Sequence, residues 1–516
     1  MEDWLRRSAR VFLAKRSRAD GTRLWQDDRL RISEAIVEVE QAWTLEHDPL
    51  VAVQLCTMYD LANRNDDALV ILREAFRRDP RHALLRHHAA ITLLRHGTPA
   101  DIADFFDSVL EVDPADAFAR FVKSLLDRYD GWVTDLVRSI DAERNGRRPF
   151  VISVPVWGQP FTDNFVRYGC ASLLAANNLP ALARDHSVHL VIFTSHRTAT
   201  DLEADPLLDR LRQHATIRFV LYDDTQVGYA KAMEAHYGRE PVYYSERSLA
   251  FYYARSCKFA LMSCAHYIAL AAGRLTDAMV SCQVADSLSS DGSLPRIAAI
   301  LAKEADAVLL NGLQLPGNVL RPLLESHFRR GDGSLQLSSD DCTKLLIEHL
   351  PAYNFARPDG RAQIPLRLCW RVGDTGILAH GNHYHPIGLR PKAFAHPLRF
   401  TIDPVDSRFV DRTSLEAPRL HIVQDASIVA LTLEEGPLPE QLAAGDAALS
   451  PGDLAFWLWG YWGRFRAMLF RTPLRFGAPG DPWQPVEAEA RAVVDDVLER
   501  AQALEEDNRK RRSWRL

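Results

Sequence analysis

The sequence predicts a multi-domain protein: an all-helical amino-terminal domain, then an α/β domain with a mixed carboxyl half, then terminal helices. Three observations carry that reading. From about Arg31 to Ile140, apolar residues recur at spacings of three and four, interrupted at Asp48-Pro49, Asp79-Pro80 and Asp113-Pro114. Beyond Asn145-Gly-Arg-Arg-Pro149, short apolar runs alternate with helical patterns, which implies right-handed crossovers and a mainly parallel sheet. One run, Ala278-Met-Val-Ser-Cys-Gln-Val-Ala-Asp286, ends in a carboxylate, and in an open α/β sheet ligands sit at the strand ends.

Length and composition bound the alternatives. A chain of 516 residues, 47% of them hydrophobic, has ample core for about two to four domains. The expected boundaries are 1–145, 150–435 and 436–516. A net charge of −6 leaves no electrostatic footprint for nucleic acid. Seven scattered cysteines, never in a Cys-x-x-Cys pair, suit buried thiols in a reducing compartment. No window approaches the ~18 apolar residues of a membrane span and the first residues lack a leader pattern, so the cytoplasm is the expected location.

In the helical domain the three prolines lie 31 and 34 residues apart, bracketing a 34-residue repeat period. Leu55, Tyr59, Ala68, Leu72, Ala75 and Pro80 fall where tetratricopeptide repeats place their large, small and terminating residues. The following stretch keeps Leu93, Phe106 and Pro114 but has Ile102 and Val109 where small residues are usual. The region thus resembles a tetratricopeptide array, which implies a concave groove for a protein partner. A generic helical bundle is the alternative.

The α/β domain begins with a buried strand, Phe150 to Gly158, followed by a helix over Thr162–Ala176. Next come a strand at Val188–Thr194, a helix at Asp201–His214 and a strand at Ile217–Tyr222 that runs into Asp223-Asp224. A long helix from about Arg247 to Ala272 precedes the acid-capped strand, and Ala307–Leu313 supplies a fifth strand. After a helix at Ser338–Leu350 the pattern is strand-rich to about Glu434, and helices return at Pro451–Arg471 and Val486–Arg509. The aromatic stretch Leu454–Phe470 carries Trp and Phe on almost every face, which fits a docking helix better than a membrane-surface one.

This order of elements, over roughly Phe150 to Arg412, resembles the GT-A class of nucleotide-sugar glycosyltransferases. That family places an Asp-x-Asp at the end of its fourth strand to hold a divalent cation against the donor diphosphate. Here the triplet is Val284-Ala285-Asp286, so the first acid is replaced by an apolar residue. Resemblance implies that Asp286 binds donor or metal, with Mn²⁺ or Mg²⁺ as the cation. His383 and His385, two apart on a strand, point to one side and are candidates for the missing ligand. His385-Pro-Ile-Gly388-Leu-Arg390-Pro-Lys392 then follows the family's order of histidine, glycine and base.

Position alone nominates the rest of the site. Trp157 and Gly158 close the first strand, where an indole could stack on a base, and Asp223 ends the third. Lys258, Met262 and His266 share one face of the long helix, so Lys258 could reach a diphosphate. Asp403 and Asp406 are the candidate acceptor-side bases. Asp291, in Ser-Asp-Gly-Ser, has a turn role, and Ser293 a capping role. The expectation is therefore a cytoplasmic, bacterial-type glycosyltransferase that moves a sugar from a nucleotide-sugar donor to a protein or glycan acceptor recruited by the repeats. The rival expectation is an inactive transferase-like scaffold, favoured by Val284.

Overall fold

Aspartate beside proline both opens and closes helices, and the amino-terminal domain uses it in both ways. The computed structural model describes residues 31–237, 246–363, 367–381, 384–394, 401, 405–406, 409–410, 418–434, 449–460, 465–477 and 483–513. Its first helices are α1 (Ile32–Glu46), α2 (Pro49–Leu61), α3 (Asn65–Arg78), α4 (Ala83–His96), α5 (Pro99–Val112) and α6 (Ala117–Ala142). Asp48 accepts from the Leu50 N–H with Pro49 in the first turn of α2, whereas Asp79 and Asp113 close α3 and α5. Pro49 therefore starts a helix while Pro80 and Pro114 follow one, which explains the first spacing of 31. Helix starts give the true repeat: 49, 83 and 117 in one series, 65 and 99 in the other, a step of 34 residues. Thr98 and Asp101 form a capping box that fixes the start of α5.

The two series differ in burial. Outer helix α5 buries a single stripe, Ile102, Phe105, Phe106 and Val109, while inner helix α4 is buried continuously from 88 to 94. A helix covered all round needs neighbours on every side. The rest of the chain supplies them. Thr401 Oγ1 donates to the Leu94 carbonyl at 2.8 Å, Asn508 Nδ2 donates to the Ala62 carbonyl at 3.0 Å, and Gln226 Nε2 donates to Ser124 Oγ at 2.6 Å. The surface expected to serve as a partner groove is thus covered in part by the protein itself.

The α/β domain comprises β1 (Arg148–Pro155), α7 (Gln159–Asn164), α8 (Leu179–Asp185), β2 (His186–Ser195), α9 (His196–Glu203), α10 (Pro206–Arg212), β3 (Thr216–Tyr222), α11 (Asp224–Tyr237), α12 (Glu246–Thr276) and β4 (Met279–Cys282). It continues with β5 (Ser287–Ser289), α13 (Ser293–Lys303), β6 (Ala307–Leu310), β7 (Leu313–Pro316), α14 (Gly317–Leu323), α15 (Ser339–His349), β8 (Arg367–Val372), β9 (Gly376–Gly381), β10 (His385–Leu389), β11 (Leu420–Ile422) and β12 (Ala430–Glu434). The carboxyl-terminal region adds α16 (Pro451–Gly460), α17 (Arg466–Arg471), β13 (Leu474–Gly477) and α18 (Trp483–Ser513). The main sheet has seven strands in the order β11-β6-β10-β4-β1-β2-β3, parallel except for β10, which is antiparallel to both neighbours. Two three-stranded sheets, β5-β12-β7 and β13-β9-β8, flank it.

Strands buried on both faces read as continuous apolar runs, and β1 does so. Val151, Val280 and Leu309 face α6 and α12 in a core shared with the repeats, while Ile152, Met279 and Leu310 face α13 and α8 in a second core. Helix α12 lies between sheet and array with Cys257, Ala260, Leu261, Cys264, Ala265 and Ile268 fully buried.

Several expectations change. The helix expected over 201–214 is two, α9 and α10, because Asp205 caps a new start with Pro206 in its first turn. The helix expected over 162–176 contains a π segment at Phe165–Cys170. The fifth strand ends at Leu310, and Leu313 begins β7 in another sheet. The aromatic stretch is split between α16 and α17, and Trp459, fully buried, donates from Nε1 to Glu505 of α18 at 3.0 Å. Among the described residues no helix is long and apolar enough to cross a membrane.

Gly388 sets the distance between β10 and α13. A Cβ there would fall 2.4 Å from Ile297 Cγ2 and 3.0 Å from Leu301 Cδ1. Gly388→Ala is expected to destabilise the protein by about 1–3 kcal/mol, the usual effect of overpacking. Urea unfolding of the full chain measures this, and an unchanged midpoint would contradict the packing.

Candidate functional site

Strand order reverses direction at β1: β2 and β3 lie to one side of it, β4 to the other. The carboxyl ends of β1 and β4 therefore border the crevice where such sheets bind ligands. At the β1 end the chain passes through Trp157 to Gly158, whose φ of +86° suits glycine, and enters α7. Trp157 is buried, edge-on to Tyr222 at a centroid distance of 6.4 Å, and so packs beneath the crevice.

At the β4 end, the Gln283 N–H donates to the Ser153 carbonyl at 2.9 Å, and a turn from the Ser287 N–H to the Val284 carbonyl presents Asp286. Leu433 N–H holds the Asp286 carbonyl at 3.0 Å. Gly169, in the π segment, packs against that loop: a Cβ there would lie at ordinary contact distance, 3.6 Å, from the carbonyls of both Ala285 and Ser287. Burial pushes the Asp286 carboxyl up to about 6, although its own backbone N–H and the Lys258 ammonium pull the other way. Asp291 serves structure, as its carboxylate accepts from the Asn177 N–H at 2.9 Å and from Asn177 Nδ2 at 2.8 Å.

Cationic and polar groups gather at the same edge. Lys258, on α12, stands 5.1 Å above the Phe161 ring, just past Gly158. Lys231, on α11, approaches the same turn: a Cβ on Gly158 would lie 3.4 Å from its Cε and 3.6 Å from its Nζ. His266 Nδ1 lies 3.1 Å from Ser153 Oγ. Burial, with a smaller contribution from the charge of nearby His385, holds His266 down to about 3, so it is neutral at physiological pH.

Because β10 is antiparallel, its first residue sits at the carboxyl edge of the parallel strands. His385 pairs there with Leu310, is exposed, and places Cδ2 3.5 Å from where a Gly312 Cβ would be. Next to it, Asn311 is 2% exposed, and neither its Oδ1 nor its Nδ2 has a hydrogen-bond partner among the described residues.

The same strand direction overturns one part of the sequence reading. Arg390 and Lys392 lie at the opposite edge, roughly 15 Å along β10 from His385. There Arg390 pairs with Asp306 at 3.4 Å and Lys392 with Asp277 at 3.3 Å. Gly388 is a packing residue. These groups do not extend the His385 site.

The structure therefore places Gly158, Lys258 and Asp286 at the β1 and β4 ends, with His385 on the neighbouring strand near His266, and adds Lys231, His266 and Asn311, which sequence reasoning did not assign. Asp223 is exposed, and its carboxylate accepts from the Thr225 N–H and hydroxyl at 3.1 and 3.0 Å, at the start of α11. Asp406 is 4% exposed, in a turn where its carbonyl accepts from the Phe409 N–H. Phe409 in turn packs on Tyr267 of α12. His383 and Asp403 lie outside the described residues. Among the described residues no three His, Cys, Asp or Glu side chains converge as a metal site. Asp286 and His385 by themselves do not fit a divalent cation, which takes six or more oxygen-rich ligands or keeps several waters.

No protein-family model matches the chain, and no curated protein matches it. Among solved structures, a mutant O-GlcNAc transferase from Thermobaculum terrenum matches with 12% identity and a TM-score of 0.18, over 46% of this chain. The match spans 45% of that protein's chain. At this TM-score the likeness assigns neither fold nor activity.

The Asp286 environment has a pH signature. Its folded pKa lies above the unfolded value near 4, so the native state binds this proton more tightly. The stabilising contribution is full below about pH 4 and is lost as pH rises towards 6. Asp286→Asn cannot titrate and is expected to flatten the stability curve between those values in urea unfolding. Superimposable curves for the two proteins would place the carboxyl in open water.

Proposed function

We propose that the protein is a GT-A-type glycosyltransferase that binds a nucleotide-sugar donor in the crevice between the β1 and β4 ends. The observation that supports this best is the meeting of one half-buried carboxylate, Asp286, with two lysines from different helices, Lys258 and Lys231, around the glycine turn after β1. In transfer, the anomeric C–O bond to the diphosphate breaks while an acceptor hydroxyl oxygen bonds to that carbon and gives up its proton. Negative charge grows on the departing diphosphate. Ammonium groups at the crevice, half-buried Lys258 and exposed Lys231, would stabilise that charge.

Asp286 would then accept a hydrogen bond from a hydroxyl of the donor's ribose or sugar, a role open to a single carboxylate. Asn311, with its amide unsatisfied, and neutral His266 are polar groups of the same edge. Since Asp286 and His385 do not fit Mn²⁺ or Mg²⁺ by themselves, the lysines rather than a cation carry the charge neutralisation on the diphosphate in this reading. Asp403 is the proposed acceptor-side base, for a protein or glycan acceptor. Asp406, the other candidate, is buried, and its carbonyl accepts from the Phe409 N–H.

A non-catalytic scaffold is the second reading, favoured by Val284 in place of the first acid. Thermal shifts with UDP-, GDP- and CMP-sugars, with and without Mn²⁺, separate the two. A rise of a few °C in Tm with one nucleotide class is expected, since a ligand bound only by the folded state raises stability. No shift with any donor would support the scaffold.

With a donor found, Lys258→Ala is expected to lower kcat/KM by about 10²-fold, the scale of losing one charge-stabilising group. Asp286→Asn should lower it at least tenfold, read as release of nucleoside diphosphate. Turnover within a few-fold of wild type in both variants would put the site elsewhere.

A further inference from the structure

A second polar cavity lies far along the chain from the crevice, where β9, β13 and α18 meet. It has a volume of about 180 Å³ and is lined by His380, Arg471, Arg475, Glu487, Arg491 and Asp495, with Pro473 and Val494. That is room for about six waters, and below the ~300 Å³ at which drug-sized ligand pockets begin. A nucleotide sugar does not fit.

Its charges are unbalanced in a defined way. Arg471 Nε pairs with Asp495 at 3.2 Å and Arg475 Nε with Glu487 at 2.7 Å. Each contact uses the Nε–H, and a guanidinium has five N–H donors, so these pairs hold the arginines in place with donors to spare. Arg491, an exposed residue of α18, has no hydrogen-bond or ion-pair partner among the described residues. With two pairs neutralised, the cavity keeps one excess positive charge.

His380 adds a requirement of opposite kind. It is 6% exposed, and its Nδ1 lies 3.0 Å from the Phe470 carbonyl oxygen. A carbonyl only accepts, so Nδ1 carries the ring proton and Nε2 is an acceptor in the neutral ring. Burial keeps the imidazole below its ordinary pKa, with the Phe470 carbonyl opposing, which favours that neutral form. The edge-on Trp370 ring, with a centroid distance of 5.9 Å, fixes the imidazole plane. Guanidinium donors call for an anion, and the imidazole acceptor calls for an O–H on the same ligand.

We propose that this cavity is an anion site for hydrogen phosphate, held by Arg491 and Arg475 through its charged oxygens and donating its hydroxyl hydrogen to His380 Nε2. Sulfate has the same shape and charge but no hydroxyl at neutral pH, so its oxygen would face the imidazole lone pair. A buried acceptor facing an acceptor is a strong basis for rejection.

Isothermal titration calorimetry of the full chain, with inorganic phosphate and sulfate at matched ionic strength, tests the site. Phosphate is expected to bind at least tenfold more tightly than sulfate. Arg491→Ala, an exposed change that leaves the packed residues untouched, should weaken phosphate at least tenfold, whereas Lys258→Ala at the donor crevice should leave it unchanged. Equal affinity for the two anions, absence of binding, indifference to Arg491→Ala, or loss on Lys258→Ala would each overturn the proposal. The transferase reading stands or falls separately, on the donor titrations.

Discussion

Helix α12 is the element on which the molecule depends. It is buried by the sheet on one side and by α6 and α4 on the other, and its small residues Ala260, Cys264, Ala265 and Ala269 let those layers approach. The same helix carries Lys258 to the crevice and His266 beneath it. Closely packed interiors transmit displacement, since they deform little. The position of the Lys258 charge relative to Asp286 is therefore set by the packing of the repeats as much as by the α/β domain. That gives the amino-terminal helices a structural role in the site, whatever else their outer surfaces contact.

Where local chemistry decides the structure, the sequence was readable. The repeat period follows from capping aspartates and prolines, and β1, β2 and β4 follow from apolar runs that a doubly covered sheet accommodates, whereas the edge strand β3 alternates and is half-buried. The split at Pro206 used the same Asp-Pro signal as the repeats and was legible in principle. The π segment at Phe165–Cys170 had no such signal in the local sequence.

In the site the division is similar. Asp286 was legible as an acid ending an apolar strand, and Asn311, a neutral polar residue just past one, was hidden by extending β6 through Asn311-Gly312. Lys231 could not be found from sequence, since its place beside Gly158 comes from the angle at which α11 leaves the sheet edge. Arg390 and Lys392 misled for a definite reason: residues five apart on a strand are at opposite ends of it, and neighbours in sequence became the far edge in space.

One further consequence follows from the interior that the inner helices share with the sheet. An array joined to its neighbour by a tether would melt by itself, repeat by repeat, as quasi-one-dimensional proteins do. Here fraying of α4 or α6 would strip the cover from α12, and so expose the heart of the adjoining domain to water. Heating should thus collapse both halves together in a single cooperative event, with the helical portion unable to act as a detachable module.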